Sequence, residues 1–244
     1  MKNKFKDFNQ RYLFYPCNIL LDTLLPRFCG SCDRRLNLWE NEICQFCLME
    51  MPVSFFHNDL ENPVAQVFWG RVRIVQATAW FVYVRGSRFG NLLHRLKYEH
   101  RPKIGVAMGR QYGFQLHYSD CYEKPDLIIP VPLHPKRKRK RGYNQSEMIV
   151  IGMSEAMKIP YSCAHLVRNT HTKTQTEKSR ADRYRNVQGK FSIQKSHEIE
   201  GKHIMLVDDV ITTGATMEAC AEELLKVDGV RVSLVGIAFA EKRG

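Results

Sequence analysis

The sequence lacks any hydrophobic run long enough to cross a membrane. None of its apolar stretches approaches the ~20 uninterrupted residues that a membrane-spanning helix needs. A secretory signal peptide is also missing, because polar residues interrupt the apolar N-terminal segment and no small-residue cleavage site follows it. The interrupting residues are Asn9, Gln10, Arg11, Asn18 and Asp22. Together these absences predict a cytoplasmic protein without a membrane span.

Acidic residues are scarce relative to basic ones. The chain has 37 Lys+Arg against 25 Asp+Glu, which gives a formal charge of +12. This excess favours partners that carry phosphate, namely nucleotides, nucleic acid or an anionic membrane surface. A polyanionic small ligand would satisfy the same charge, so composition leaves these partners open. With 44% hydrophobic and 25% charged residues, the 244-residue chain is typical of one sizeable folded core with room for a small second domain.

Cysteine, in contrast, is plentiful and partly patterned. Of eight cysteines, four form two C-x-x-C pairs, CGSC and CQFC, with 11 residues between the pairs. Two such pairs can surround Zn²⁺ and leave no coordination position open, which predicts a structural zinc site at Cys29, Cys32, Cys44 and Cys47. Disulfides or a redox motif are the alternatives, and stable disulfides are disfavoured in a cytoplasmic chain. The other four are predicted to be ordinary buried residues: Cys17, Cys121, Cys163 and Cys220.

Apolar periodicity divides the chain into a short N-terminal part and a longer alternating part. Residues 1–60 contain a helical pattern followed by the four patterned cysteines, and Pro52 and Pro63 mark a linker. From residue 65 to 244, β-prone segments alternate with helical ones, which predicts an α/β domain with a mainly parallel sheet. The predicted strands are 73–84, 126–132, 202–210 and 230–240, and the predicted helices are 89–100, 144–157 and 216–229.

Two adjacent carboxylates end the third predicted strand, within the segment IMLVDDVITTGAT (204–216). In open α/β sheets ligands bind at the carboxyl ends of strands, and a glycine-containing loop that opens a helix is a natural phosphate cradle. Two acids beside a phosphate site would repel the ligand unless they address neutral ribose hydroxyls or a metal. Asp208, Asp209 and the loop therefore predict a ribose 5-phosphate ligand. A helix-capping loop after an ordinary strand is the alternative.

This segment resembles the phosphoribosyl-pyrophosphate motif of type I phosphoribosyltransferases. The resemblance implies that Asp208 and Asp209 are the catalytic acids and hold the ribose 2′- and 3′-hydroxyls. It also implies that the loop after them binds the 5′-phosphate, through Thr212, Thr213, Gly214, Ala215 and Thr216. Mg²⁺ would enter with the phosphoribosyl pyrophosphate and bridge its pyrophosphate and ribose oxygens.

A second segment, DLIIPVPLHPKRKRKRGYNQSE (126–147), together with the cysteine pairs, resembles the ComF family of competence-associated, phosphoribosyltransferase-like proteins. The resemblance spans nearly the whole chain. It implies a type I phosphoribosyltransferase-like α/β fold with a mainly parallel sheet, preceded by a small N-terminal zinc-ribbon module. It also implies that the loop 132–143 grips pyrophosphate, with Lys136, Arg137 and Arg141 as candidate contacts. Alternatively, the six consecutive cations of this loop form a solvated charge run or a nonspecific polyanion patch.

A third segment matches the ComF pattern in which Arg, Thr and Gln are followed by Arg, Asn, Gly and Phe at fixed spacing. The matching residues are Arg168, Thr172, Gln175, Arg183, Asn186, Gly189 and Phe191. Lys178 departs from the pattern, which has an apolar residue there. In the related fold a mobile loop closes over the reacting centre, so Lys173 or Arg180 would meet the leaving pyrophosphate; a polar connector is the alternative. Lys97 and Tyr98 lie in another matching segment, in a region that would cover the acceptor.

Three functions are compatible with these features. The first is a phosphoribosyltransferase whose acceptor the sequence does not identify. The second is a competence factor that binds single-stranded nucleic acid and holds the phosphoribosyl ligand without turnover. The third is a phosphoribosyl-pyrophosphate-sensing adaptor whose zinc module docks a protein such as a DNA translocase. The two acids and the full phosphate loop favour binding of phosphoribosyl pyrophosphate in all three, and we predict the transferase, in a protein linked to DNA uptake.

Overall fold

The computed structural model describes residues 24–169 and 190–240. The chain divides into two compact units, Met1–Met51 and Pro52–Gly244. Within the two described ranges, no helix combines the length and the apolar character needed to cross a bilayer.

The smaller unit is built on backbone turns around the patterned cysteines. An antiparallel bridge joins Phe28 to Arg35, and helix α1 (Gln45–Met49) begins directly after Cys44. The carboxylate of Glu40 accepts the backbone N–H groups of Asn37 and Gln45, at 2.8 and 2.7 Å. These two hydrogen bonds lower the pKa of Glu40 and fix the turn that precedes the helix.

The larger unit alternates strands and helices. Its described strands are β1 (Ala77–Val82), β2 (Leu127–Pro130), β3 (Leu166–Arg168), β4 (Phe191–Ile193), β5 (His203–Ile211) and β6 (Arg231–Phe239). Its described α-helices are α2 (Pro63–Gln66), α3 (Gly90–Tyr98), α4 (Pro102–Tyr118), α5 (Pro135–Arg141), α6 (Gln145–Met157) and α7 (Ala215–Leu224). Two 3₁₀ turns, Phe56–Asn58 and Ser196–Glu198, complete the set.

Four of the strands form a parallel sheet in the order β1-β6-β5-β2. Their residues are buried on both faces, as the near-continuous apolar runs of the sequence indicate. The predicted α/β fold with a mainly parallel sheet is therefore confirmed. The antiparallel pair β3-β4 was not predicted, because each strand has only three residues and neither carries a distinct alternation.

Helices cover both faces of the sheet. On one face α4 contributes Tyr112, whose hydroxyl lies 2.8 Å from that of Thr78 and whose ring stacks on Trp80 of β1. On the other face Met217 and Leu224 of α7 join a buried cluster that includes alternate residues of β1, β5 and β6. This two-sided covering is what an all-parallel sheet requires.

Helix α4 packs against α6 through glycine. A Cβ atom at Gly109 would lie 2.0 Å from the carbonyl oxygen of Ile149, and one at Gly152 would lie 2.0 Å from that of Val106. The two backbones are therefore closer than any larger residue allows. Sequence reasoning missed α4, since its glycines at every fourth position, Gly105, Gly109 and Gly113, disfavour a helix locally.

The basic segment is a helix, and the prediction of a loop over 132–143 was wrong for its central part. Pro135 is the first helical residue, and the His134 ring accepts the N–H of Lys136 at 3.2 Å, which caps the helix. Gly142 ends it with a φ of +80°, a left-handed conformation that glycine adopts without strain. The helix was not predicted because repulsion between the like charges of its consecutive cations disfavours a helix.

The scattered cysteines were predicted to be buried, and this holds for Cys220 alone among those that the structure describes. Cys121 and Cys163 are exposed, and Cys17 lies outside the described residues. The last predicted helix also ends earlier than expected, at Leu224 rather than near Gly229.

Candidate functional site

The site forms where β2 stops beside the longer strand β5. Their parallel pairing ends at Pro130, opposite Val207, and the N–H of Val131 makes one further bond to the Val207 carbonyl at 2.8 Å. Strand β5 continues to Ile211 by pairing only with β6. Asp208 and Asp209, together called the acid pair, therefore lie just past the end of β2, where the neighbouring chain turns toward α5.

The acid pair is held by three named contacts. One oxygen of Asp208, Oδ1, accepts the Ser146 hydroxyl and the backbone N–H of Asp209, both at 2.9 Å. One oxygen of Asp209, Oδ2, lies 3.0 Å from the ammonium of Lys97, the residue before the end of α3. The Lys97 and Asp209 side chains are only 24% and 14% exposed, so solvent weakens this ion pair less than it would a surface pair.

The environment of Asp208 favours its protonated form. Burial raises the pKa of this carboxyl to about 7, and the neighbouring charge of Asp209 acts in the same direction. Hydrogen bonds from the Asp209 N–H and from Ser146, and the positive charge of Lys97, oppose the rise without cancelling it. Near neutral pH Asp208 can thus both donate and accept hydrogen bonds, which suits recognition of hydroxyl groups.

A cavity of about 260 Å³, the site cavity, opens over the acid pair. Among the described residues, its lining combines the acid pair with four cations from three separate segments, so the net charge of these residues is positive even with both acids ionised. The lining residues are Lys97, Tyr98, Val131, Pro132, Leu133, Arg137, Arg141, Asn144, Gln145, Ser146, Arg168, Asp208, Asp209 and Thr216. Carboxylates at one side and cations at another can receive a ligand that carries both hydroxyls and anionic oxygens.

Two arginines of α5 reach the site cavity. Arg137 and Arg141 are four residues apart, which places them on one face of the helix. The Arg141 guanidinium lies 5.2 Å from the centre of the Tyr98 ring, a cation–π contact that restrains it. The predicted Lys136 does not line the cavity and is exposed on the helix surface.

A second cavity, of about 350 Å³, adjoins the first and shares four residues with it. Among the described residues, its lining contains cationic side chains, a histidine and a tyrosine, but no carboxylate. The lining residues are Lys97, Tyr98, His100, Arg137, Lys140 and Arg141. The second cavity thus extends the positively charged end of the site.

The predicted phosphate loop, 212–216, follows β5 and includes the first two residues of α7. Of its residues, Thr216, in the first turn of α7, lines the site cavity. Gly214 has a φ of +72° and immediately precedes the helix, which begins without a side-chain cap. A Cβ at this position would come within 2.7 Å of the Phe68 ring, so both conformation and space require glycine. Arg71 donates to the Thr213 carbonyl at 2.8 Å and pairs with Glu218, which anchors the loop from outside.

The start of α6 is a part of the site that sequence reasoning missed. Asn144 caps the helix: its side-chain oxygen accepts the Ser146 N–H at 3.3 Å, and its amide nitrogen donates to the Val131 carbonyl at 2.9 Å. Gln145 follows, 2% exposed, and lines the site cavity. The helix itself was predicted from residue 144, and the polar run from Asn144 to Ser146 is the feature of the sequence that could have assigned its start to the site.

The third matching segment lies mostly outside the described residues. This holds for Thr172, Lys173, Gln175, Lys178, Arg180, Arg183, Asn186 and Gly189. Its two ends are described: Arg168 lines the site cavity, and its guanidinium lies 5.4 Å from the centre of the buried Phe191 ring. The described end of this segment thus adds a cation to the site.

In the smaller unit, the four patterned cysteines fit a metal ion. Their sulfur atoms all lie within 4.8 Å of one another, and those of Cys32 and Cys44 are 3.8 Å apart. Burial alone would raise the pKa of the Cys29 thiol. Hydrogen bonds from the backbone N–H groups of Cys44, Cys32 and Ser31 outweigh this effect and lower the pKa to about 7. Four converging sulfurs, one of which deprotonates readily, are a suitable ligand set for a tetrahedral metal.

The acid pair does not form a comparable metal site. A metal site needs at least three His, Cys, Asp or Glu side chains whose ligand atoms lie close together. In residues 24–169 and 190–240, only the four cysteines form such a group. Asp208 and Asp209 already accept protein donors, and Lys97 supplies a positive charge at Asp209. A divalent cation at this place would therefore depend on a ligand for most of its coordination.

Comparison with known proteins gives consistent matches. Residues 137–243 match the family model described as a phosphoribosyl transferase domain. The chain is 38% identical over 217 residues to Competence protein F of Haemophilus influenzae, covering 87% of this chain and 85% of that protein. It is 27% identical over 203 residues to Competence protein ComFC of Bacillus subtilis, covering 82% and 78%. A 138-residue match to DNA utilization protein YhgH of Escherichia coli, 32% identical, covers 55% of this chain and 60% of that relative.

The raised pKa of Asp208 predicts how stability depends on pH. The folded protein binds a proton here up to about pH 7, whereas the unfolded chain releases it near the ordinary value of 3.8. This group's contribution to stability is therefore largest at low pH and is lost as the pH rises from about 4 to about 7. Asp208→Asn, which stays neutral, should be more stable than the wild type above pH 7, by about 1–3 kcal/mol.

Urea unfolding between pH 5 and 8 measures this difference. The advantage of Asp208→Asn should shrink as the pH falls, because the wild-type carboxyl becomes protonated. Asp228→Asn, at an exposed position, is the matched control and should change little at any pH. A constant difference between Asp208→Asn and the wild type across this range would contradict the assignment.

Proposed function

Because the chain belongs to the ComF family of phosphoribosyltransferase-like proteins, we propose that it binds phosphoribosyl pyrophosphate in the site cavity and transfers the phosphoribosyl group to an acceptor. One observation carries this proposal: the acid pair and the cations of α5 line the same cavity at the carboxyl end of the sheet. A ligand with ribose hydroxyls at one end and pyrophosphate at the other matches that distribution of charge.

Each part of the cavity has a role in this proposal. Asp208 and Asp209 accept hydrogen bonds from the ribose 2′- and 3′-hydroxyls. The loop from Thr212 to Thr216 binds the 5′-phosphate through backbone N–H groups and hydroxyls, which gains support from the uncapped start of α7. Arg137 and Arg141 bind the pyrophosphate, and their positions on one helix face favour this assignment.

In this proposal Mg²⁺ binds to the protein as a complex with phosphoribosyl pyrophosphate. Bound to phosphoribosyl pyrophosphate, Mg²⁺ would neutralise part of the charge that develops on the leaving pyrophosphate. The acid pair would orient the ribose hydroxyls, and Lys97 would limit the negative charge that Asp209 presents to the ligand. The two contacts of Asp208 with protein donors support a role in positioning rather than in metal binding.

In the proposed reaction no protein side chain forms a covalent bond with the ligand. The bond between the anomeric carbon and a pyrophosphate oxygen breaks, the electron pair leaves with pyrophosphate, and a bond to a nucleophilic atom of the acceptor forms. Arg137, Arg141 and Arg168 would stabilise the charge that accumulates on the leaving group. Positioning and electrostatics would therefore supply most of the rate acceleration.

Calorimetric titration with Mg²⁺–phosphoribosyl pyrophosphate tests the proposed site. The wild type should bind, and the double variant Asp208→Asn/Asp209→Asn should bind about 100-fold or more weakly, since Asp209 loses its charge and both carboxyl groups that face the ribose hydroxyls become amides. Asp228→Asn is the control and should bind like the wild type. Equal affinity of the double variant and the wild type would exclude the acid pair as the ribose site.

We further propose that the four patterned cysteines hold one structural Zn²⁺. The purified protein should contain about one zinc per chain by elemental analysis. Cys29→Ser/Cys44→Ser should contain none and should lower the unfolding temperature of the smaller unit, because the ion links its two turns. Cys121→Ser, which changes an exposed cysteine outside the cluster, should keep its zinc. Full zinc content in the double variant would show that another site holds the metal.

Binding of single-stranded DNA is a second candidate function. None of the seven residues of α5 is buried, and Lys136 and Arg139, which line neither cavity, remain available on the surface. The names of the relatives, which refer to competence and DNA utilization, agree with such a partner and with a link to DNA uptake. A DNA-translocase partner would belong to the same process.

The dependence of DNA affinity on salt tests this candidate. Fluorescence anisotropy with labelled single-stranded DNA should show affinity falling steeply with salt. Lys136→Ala/Arg139→Ala should reduce the slope of log affinity against log salt by about 0.7 for each phosphate contact removed. Both residues lie outside the two cavities, so affinity for phosphoribosyl pyrophosphate should not change. An unchanged slope would exclude α5 as the DNA-binding surface.

A further inference from the structure

Gln145 carries a buried amide nitrogen that has no partner in residues 24–169 and 190–240. It is the first residue of α6, is 2% exposed and lines the site cavity. Its amide nitrogen Nε2 is buried and finds no hydrogen-bond acceptor among the described residues. Buried polar groups in folded proteins are nearly always paired, so this exception calls for an explanation.

The residues on both sides of Gln145 have hydrogen-bond partners of their own. Asn144 uses both its oxygen and its nitrogen in hydrogen bonds, and Ser146 donates to Asp208. The oxygen that accepts from Ser146, Oδ1 of Asp208, already accepts a second donor, the Asp209 N–H. The polar residues beside Gln145 are thus satisfied, while its own donor has no partner among the described residues.

The unpaired amide can be presented to the cavity without rebuilding the helix. The terminal torsion of glutamine is soft, and rotation about it exchanges Nε2 with Oε1 while the rest of the side chain stays in place. Because Gln145 already lines the cavity, this exchange turns the donor toward a bound ligand. An N–H donor requires an oxygen that accepts, and pyrophosphate oxygens accept only.

We infer that Gln145 is a ligand-binding residue whose amide donates to a pyrophosphate oxygen of phosphoribosyl pyrophosphate. This inference rests on the proposed function. The placement favours pyrophosphate over ribose, since α6 follows directly after α5, whose Arg137 and Arg141 line the same cavity. The donor, which has no partner in the described part of the free protein, gains one when the ligand binds.

A role in binding and a role in folding predict opposite effects on stability. Gln145→Met keeps the length of the side chain and removes the buried donor. It should leave the unfolding temperature unchanged or raise it, because no hydrogen bond of the free protein is lost. Its affinity for Mg²⁺–phosphoribosyl pyrophosphate and for inorganic pyrophosphate should fall about 10- to 100-fold, whereas affinity for ribose 5-phosphate should stay within about twofold.

Gln115 supplies a matched control. This residue of α4 also carries a buried amide atom, Oε1, without a partner in the described part of the chain, but it lines neither cavity. Gln115→Met should therefore match Gln145→Met in stability and match the wild type in all three titrations. Gln145→Glu is a second variant of the same shape; it replaces the donor by an acid and should weaken pyrophosphate binding at least as much.

The outcomes separate this inference from the proposed function. A folded wild type that binds no phosphoribosyl pyrophosphate would contradict the proposed function itself. A wild type that binds, with unchanged pyrophosphate affinity in both Gln145 variants, would overturn only the role of Gln145. A lowered unfolding temperature together with equal losses for pyrophosphate and ribose 5-phosphate would assign Gln145 a structural role and would also overturn the inference.

Discussion

The candidate site depends on where the parallel pairing between β2 and β5 begins and ends. At the start, Asp126 and His203 exchange two hydrogen bonds of 2.8 Å, which fixes the register. At the end, Pro130 is the last paired residue of β2, and β5 continues alone along β6. Because of this difference in length, Asp208 and Asp209 have no β2 residue paired beside them and lie next to the segment that leads to α5. A shift of register would move the acids away from their contacts on α3 and α6.

Charge is arranged in the site at some cost to stability. Two adjacent carboxylates with a raised pKa at Asp208, and a buried amide at Gln145 that has no partner in the part of the chain that the structure describes, are both unfavourable in the free protein. Lys97 offsets part of the repulsion by pairing with Asp209. The rest of the unit has a buried parallel sheet and closely packed helices. Local deviations of this kind concentrate where a ligand completes the structure.

The sequence allowed the parallel sheet and the acid pair to be predicted, because both depend on local patterns: buried apolar runs and a strand followed by a glycine-containing loop. Helix α4 could not be predicted, since its glycines are favourable only against the backbone of α6. The contact of Lys97 with Asp209 depends on how α3 crosses the sheet, which no local pattern records. For the same reason, the distinction between Arg137, which lines the site cavity, and Lys136, which does not, required the helix itself.

A crystal structure of the complex with Mg²⁺ and phosphoribosyl pyrophosphate would test the central claim most directly. The account predicts ribose hydroxyls within hydrogen-bond distance of Asp208 and Asp209, the 5′-phosphate at the loop ending in Thr216, and pyrophosphate beside Arg137 and Arg141. A ligand bound along the outer surface of α5, with the acid pair still engaged only by Lys97 and Ser146, would contradict it.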